Sequence, residues 1–388
     1  MRIERDRLTL AVYTVPAVWG WFLYSFGPSV PLLRAEQGTS RAVAGLHGTA
    51  LAVGSVVSAA ISVAVVRRIG RRGLLVAGSS GTLVGVLLLT AAPGLPWTVL
   101  AAFVIGIGGS AAFNSVSPVL ADHQQGAGAA AISEANGVAA AIGVLAPLAV
   151  GASVALGLTW RGAVLITVPI AALAIAAVLR APQSPSLVGD PPPTSRDTAA
   201  LPPRFWAALG VVTCCVAVEF CLTYWVGDLL RQRTEVAGGT AAALISVVIA
   251  GMAVGRFCAG PLTTRWGIEP LLLGAIGVAA AGWLLVWLAT DVRVAVVGLL
   301  VTGLGVSVQF PMALARLLRA ARGRTDTAAS WATLGAGVAS GFAPFGLGAL
   351  SDVVGPHRGF LLVPALLLLG AGGVVLAPVR RRLVARSR

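Results

Sequence analysis

The chain has 388 residues, 57% of them hydrophobic and only 11% charged, with a formal net charge of +14. A water-soluble domain carries about 25% charged residues, so this composition excludes one, and lipid is the solvent for most of the surface. The arginines lie between apolar runs and not along one polar face, which argues against a nucleic-acid partner.

The basic start, Met1 to Arg7, leads into a long apolar segment. No small-residue cleavage site closes that segment, so it reads as a retained first span and not a signal peptide. Crossing about 30 Å of hydrocarbon takes roughly 20 residues. Segments of that length fall at 8–33, 43–66, 73–92, 97–121, 130–155 and 160–180, then at 204–231, 238–262, 270–290, 293–320, 326–351 and 357–379. The expectation is an all-α membrane protein with twelve transmembrane helices. Residues 1–180 form one six-helix bundle and residues 204–388 the other. Between them, 181–203 holds seven Pro with several Ser, Thr and Asp. This stretch reads as a solvated cytoplasmic linker.

The two bundles are copies of one unit, offset by 197 residues without a gap. Leu32-Leu33-Arg34 returns as Leu229-Leu230-Arg231, Gly54 as Gly251, and Arg68 and Gly70 as Arg265 and Gly267. Gly85, Gly106, Gly108, Gly151 and Gly162 also return as glycine, at Gly282, Gly303, Gly305, Gly348 and Gly359. An even number of spans per copy makes the repeats parallel, related by an axis along the membrane normal. With the N-terminus placed in the cytoplasm, 20 arginines fall inside and seven outside, and Arg256 lies within a span. That excess follows the positive-inside rule and puts both termini in the cytoplasm of an inner-membrane protein. Small-residue rows such as Gly251, Gly255 and Ala259 let helices approach closely, for static packing or for sliding. The four Cys lie in apolar spans without metal-ligand spacing and read as small packing residues.

Twelve spans in two parallel halves, a central linker and a basic loop after the second and eighth spans resemble the major facilitator superfamily over essentially the whole chain. The family's signature loop reads roughly Gly-x-x-x-Asp-Arg-x-Gly-Arg-Arg. The first copy has Arg68, Gly70, Arg71 and Arg72, with Val63 and Arg67 at the Gly and Asp positions. The second keeps Gly260, Arg265 and Gly267, with Thr264 at the Asp position. The resemblance implies a gating role for Arg67, Arg68, Gly70, Arg72 and Arg265. The missing acids imply that the family's cytoplasmic latch is built differently here. A fifth-span motif linked to exporters is half present: Pro147 and Gly151 fit it, Ala146 and Val150 do not.

The repeat also filters candidate site residues. A polar residue in a span with an apolar counterpart is not explained by architecture. Glu219, mid-way along the seventh span, corresponds to Phe22. An ionised carboxylate is costly at that depth, which makes Glu219 the candidate proton carrier. Arg256 corresponds to Ala59; it is expected to pair with an acid or cap helix carbonyls at the inner gate. Asn114 corresponds to Pro311, Gln309 to Ala112 and Asn136 to Thr333. These groups hydrogen-bond a solute or hold helices together. Trp21 and Tyr24, with Tyr224 and Trp225, line a partly apolar pocket if they face the centre. Asp228, near the outer end, reads as a solvent contact.

There is no phosphate-binding loop, no zinc motif and no serine-nucleophile motif, so no cofactor, no metal and no enzyme activity are expected. The reading is a secondary active transporter working as a monomer, with protons, a small organic solute and the lipid bilayer as partners. Drug-type or metabolite efflux is the first reading. Proton-coupled uptake of a sugar or other nutrient is the alternative, and a transport-dead membrane sensor or scaffold is more distant.

Overall fold

A computed structural model of the chain describes residues 3–188, 201–321 and 324–379, and all regular structure in them is helical. α1 is Arg7–Gln37. The helix Arg41–Ala91 is too long for a single span and reverses at Gly70, whose φ of 68° and ψ of 173° are non-helical. A left-handed φ there needs a residue without Cβ. Its arms, 41–69 and 71–91, are α2 and α3. They are followed by α4 (Leu95–Gln124), α5 (Gly128–Ala155) and α6 (Arg161–Arg180). The second half holds α7 (Pro203–Thr234), α8 (Gly238–Trp266), α9 (Ile268–Leu288), α10 (Val292–Ala320), α11 (Thr325–Val354) and α12 (Pro356–Leu376). The twelve expected spans coincide with these helices to within about one helical turn.

The sequence repeat is a repeat of contacts. A Cβ placed on Gly54 of α2 would stand 2.3 Å from the Phe103 carbonyl oxygen of α4. One on Gly251 of α8 would stand 2.5 Å from the Leu300 carbonyl oxygen of α10, the equivalent atom. Gly106 meets the Leu51 carbonyl oxygen at 2.2 Å, and Gly303 meets that of Val248 at 2.1 Å. In both halves glycine lets backbone lie against backbone at the same crossing. A methyl at Gly106 has only main chain to push against, so Gly106→Ala is expected to cost about 1–3 kcal/mol. Its thermal midpoint in detergent checks this, and an unchanged midpoint would refute the close crossing.

At the end carrying both termini, each half is tied to itself. Asp6 caps α1 through the Thr9 N–H at 2.8 Å and also holds His123 Nε2 at 2.8 Å. Burial pushes the Asp6 carboxyl up, but these donors outweigh it and hold it below its ordinary value. Arg5 pairs with Glu134 at 2.8 Å. Arg72 donates to the Leu179 and Ala181 carbonyls at the end of α6. In the second half the buried Arg316 does the same for α12, donating to the Gly373 and Ala377 carbonyls, while Glu269 stands 3.4 Å from it. One architectural task is thus performed by unrelated residues in the two repeats.

The start of the Pro-rich stretch corrects the reading of it as solvated throughout. Residues Pro185–Val188 form a helical turn, Leu187 is buried in the core of the first half, and the Ser186 carbonyl accepts from Arg71 at 3.1 Å. Burial of Leu187 and the guanidinium tether outweigh the chain's Pro-rich preference for extended, hydrated backbone.

The far end is where the halves meet most closely. A Cβ on Gly45 of α2 would be 2.7 Å from the Phe345 Cα of α11, and one on Gly348 of α11 would be 2.6 Å from the Arg41 carbonyl oxygen. Gly151 of α5 packs on Ala243 of α8, and the Ser246 hydroxyl donates to the Val144 carbonyl at 2.8 Å. The Thr49 hydroxyl donates to the Gly341 carbonyl at 2.7 Å. The small-residue rows of α2, α5, α8 and α11 thus seal this end.

Candidate functional site

α1 and α7 are the repeat-related helices that face each other across the seam. Gly27 of α1 lies against the Thr223 carbonyl and the Tyr224 ring of α7. One turn closer to the termini, Tyr24 and Glu219 face each other. Tyr24, Glu219 and the Arg256 guanidinium of α8 lie within electrostatic reach of one another. Tyr24 and Glu219 are each half-buried. Arg256 is exposed to a larger degree. Glu219 lies nine residues from Asp228 at the sealed end, about 14 Å along the helix. The three groups therefore sit mid-way through the bundle, below the seal. Tyr24 owes its position to Gly143 of α5, where a Cβ would stand 2.4 Å from its ring.

This arrangement joins residues that the sequence singled out separately. Arg256 faces the central acid Glu219. A carboxylate, a phenol and a guanidinium at the seam can hold a proton, exchange it and alternate between internal pairing and a solute. Asn136 lies two turns from Gly143 on α5, on the face turned to Tyr24; it is exposed, and its amide donates to its own helix at the Ile132 carbonyl. Asn114 is exposed on α4, on the face whose Ser110 bonds the Ser55 hydroxyl of α2 at 2.6 Å.

Four aromatic or amide candidates do not line the space. Trp21 is buried and its indole N–H donates to the Ala163 carbonyl of α6 at 2.9 Å. Trp225 is buried and donates to the Pro344 carbonyl of α11 at 2.8 Å. Both indoles thus fix helix pairs. Tyr224 is buried in the seam, edge-on to Phe26 with centroids 6.4 Å apart, and Gly27 and Gly48 close over its ring. Gln309 is fully buried where α10 is interrupted, beside a small void lined by Cys214, Cys215, Ile276 and Leu366 inside the second half. Apolar walls cut its amide off from the seam.

Of the signature-loop residues, Gly70 makes the α2–α3 reversal and Arg72 caps α6, while Arg67 and Arg68 are exposed and carry no hydrogen bond or ion pair with described residues. Arg265 is exposed beside the left-handed Gly267. Arg71 takes the structural role: it is buried and pairs with Asp122 of α4 at 2.5 Å. That acid, on α4, meets the arginine of a loop that has none of its own.

Sequence reasoning missed the sealed end. Asp228 is 6% exposed and not a solvent contact. Its Oδ2 accepts from Arg41 Nε at 2.6 Å, and Arg34 stands 3.7 Å from Oδ1. Asp352 of α11 accepts the Arg41 and Ala42 backbone N–H groups at 3.0 and 2.8 Å. Arg34 and Arg41 belong to the first half and both acids to the second, so these contacts latch the halves. The available signal was that Asp228 has Pro31 as its repeat counterpart.

A family model described as Major Facilitator Superfamily matches residues 10–344. Among similar solved structures is a bacterial homolog of the human lysosomal transporter Spinster, in an inward-facing and unoccupied conformation. Its TM-score is 0.75 at 16% identity, over 96% of this chain and 97% of that one. The nucleoside transporter NupG has a TM-score of 0.75 at 11% identity, over 97% and 99%. The xylose transporter XylE from E. coli, partially occluded and inward open, has a TM-score of 0.74 at 14% identity, over 95% and 97%. No curated protein sequence matches the chain. At these identities the structures testify to the fold alone, whereas the family model spans most of the sequence. With its twelve helices and repeated halves, the chain belongs to the Major Facilitator Superfamily and is a transporter of small solutes, not an enzyme.

Proposed function

We propose that the chain is a proton-coupled secondary active transporter of the cytoplasmic membrane that exports a small organic solute of the drug or metabolite type. The observation that carries this reading is the meeting of Tyr24, Glu219 and Arg256 at the seam, mid-way through the bundle and below the sealed end. Glu219 binds and releases the proton. Arg256 stands opposite its ionised form, and Tyr24 links the pair to the first half. One proton crossing 100 mV releases about 2.3 kcal/mol, enough to concentrate a neutral solute roughly 50-fold.

The arginine bias supports cytoplasmic termini, and with that orientation the described conformation is inward-facing. Residues 1–180 and 204–388 rock as two bodies joined by 181–203, and a single chain contains the whole path.

The test is reconstitution in liposomes with a pH dye inside and imposed gradients of sugars, amino acids, organic acids and drugs. The expected result is a solute-driven pH change that is lost in Glu219→Gln. Its sign relative to the solute gradient separates export by exchange from uptake by symport. Solute movement without a pH change in either protein would remove Glu219 as the proton carrier.

A further inference from the structure

At the sealed end lies a cavity of about 430 Å³, lined by Arg34, Arg41, Asp228, Arg231 and Glu235. This volume is within the range of small-molecule sites, about 300–1,000 Å³. Arg34 and Arg231 are equivalent residues of the two repeats, at the last turns of α1 and α7. The cavity therefore straddles the axis that relates the halves.

Its charges are unevenly satisfied. Asp228 serves two guanidinium groups, tightly Arg41 at 2.6 Å and loosely Arg34 at 3.7 Å. Arg34 keeps a buried Nε without a hydrogen-bond partner. Arg231 makes no hydrogen bond or ion pair with any described residue, and Glu235 pairs with none of the three arginines. Basic residues at helix C-termini complement the helix dipole. That accounts for Arg34 and Arg231 being there, but not for an unsatisfied buried N–H on a shared cavity, which costs about 1–3 kcal/mol.

We infer that this cavity is a second binding site, distinct from the central one, for a small oxyanion of the carboxylate or phosphate type held between Arg34 and Arg231. Guanidinium forks match the paired oxygens of such groups, and one negative charge balances a lining of three cations and two anions. An anion held there touches both halves, so its binding reinforces the seal.

The experiment is titration of the purified full-length protein, in lipid-free detergent so that no headgroup phosphate supplies the ligand. Inorganic phosphate and acetate are titrated separately by calorimetry, at constant ionic strength balanced with chloride. The expected result is saturable binding of at least one of them, weakened about tenfold in Arg231→Gln. That substitution breaks no ion pair, so the latch and the fold stay intact. Arg293→Gln, at the same end but outside the cavity, is expected to bind as the parent does. No saturable binding of either anion at millimolar concentration would overturn the site. So would binding that survives Arg34→Gln/Arg231→Gln, or that is lost in Arg256→Gln with both outer arginines in place.

Discussion

Asp228→Asn is expected to open the sealed end. The side chain is buried, and its charge is what lets Arg34 and Arg41 of one half lie beside Arg231 of the other. Removing one partner of a buried ion pair costs about 3–5 kcal/mol. The arginines here are 21% exposed, so the low end of that range applies. The cost falls on the sealed conformation alone, because these groups part when the halves rock open. A shift of about 3 kcal/mol moves the equilibrium on the order of a hundredfold. The measurement is labelling of Ser340→Cys, at the seam against Gly48, by a maleimide that cannot cross the membrane. In buffer without phosphate or carboxylate, its rate is expected to rise steeply in Asp228→Asn and in Arg41→Gln, and to stay unchanged in Arg231→Gln. Equal labelling in all four backgrounds would show that apolar contacts hold the seal and that the ion pairs are incidental.

What was legible in the sequence follows from the range over which each signal acts. Hydropathy and helix length are local, so the twelve spans were readable with small end errors. The repeat was readable because Gly54 and Gly251, or Gly106 and Gly303, solve the same crossing and tolerate no side chain. Glu219 and Arg256 stood out as polar residues with apolar counterparts, but their meeting depends on where α7 and α8 put them, which no local pattern encodes. Periodicity also fails to tell an aromatic that lines a cavity from one that bonds a neighbouring carbonyl. Trp21 and Trp225 look like Tyr24 in sequence, yet Ala163 and Pro344 hold their indoles. Asp228 misled for another reason. Nearness to a helix end suggests water, but here the end is covered by the other half. His47, likewise placed near a span end, is buried and bonds Thr98 at 2.8 Å.

The architecture separates two jobs by depth. At the sealed end the charges are permanent: arginines against aspartates, with Gly45 and Gly348 bringing α2 and α11 into contact. At the centre the only acid is Glu219 among the three grouped side chains, and its partners, a phenol and a guanidinium, leave room for it to change state. A seal and the proton exchange proposed for Glu219 need opposite things. One needs strong pairing between fixed charges, and the other needs an interaction that a solute or a proton can replace.

Arg256→Gln tests that second device, on the proposed proton role of Glu219. With the guanidinium gone, an ionised Glu219 loses its nearby cation; because Arg256 is exposed to water, the cost is about 1 kcal/mol. The expected result in the liposome assay is a slower solute-driven pH change, about fivefold in rate for 1 kcal/mol. Pairing makes a sharper demand on the double variant. If the penalty comes from an uncompensated charge, Glu219→Gln/Arg256→Gln removes both members and restores solute movement, now without a pH change. Arg256→Lys keeps the charge but not the fork, and is expected to retain coupling at reduced rate. A double variant as slow as Arg256→Gln alone would mean that the guanidinium acts on the solute directly, with Glu219 serving to position it. Purified Arg256→Gln and the double variant are compared first for thermal midpoint, so that a folding defect is read separately from a transport defect.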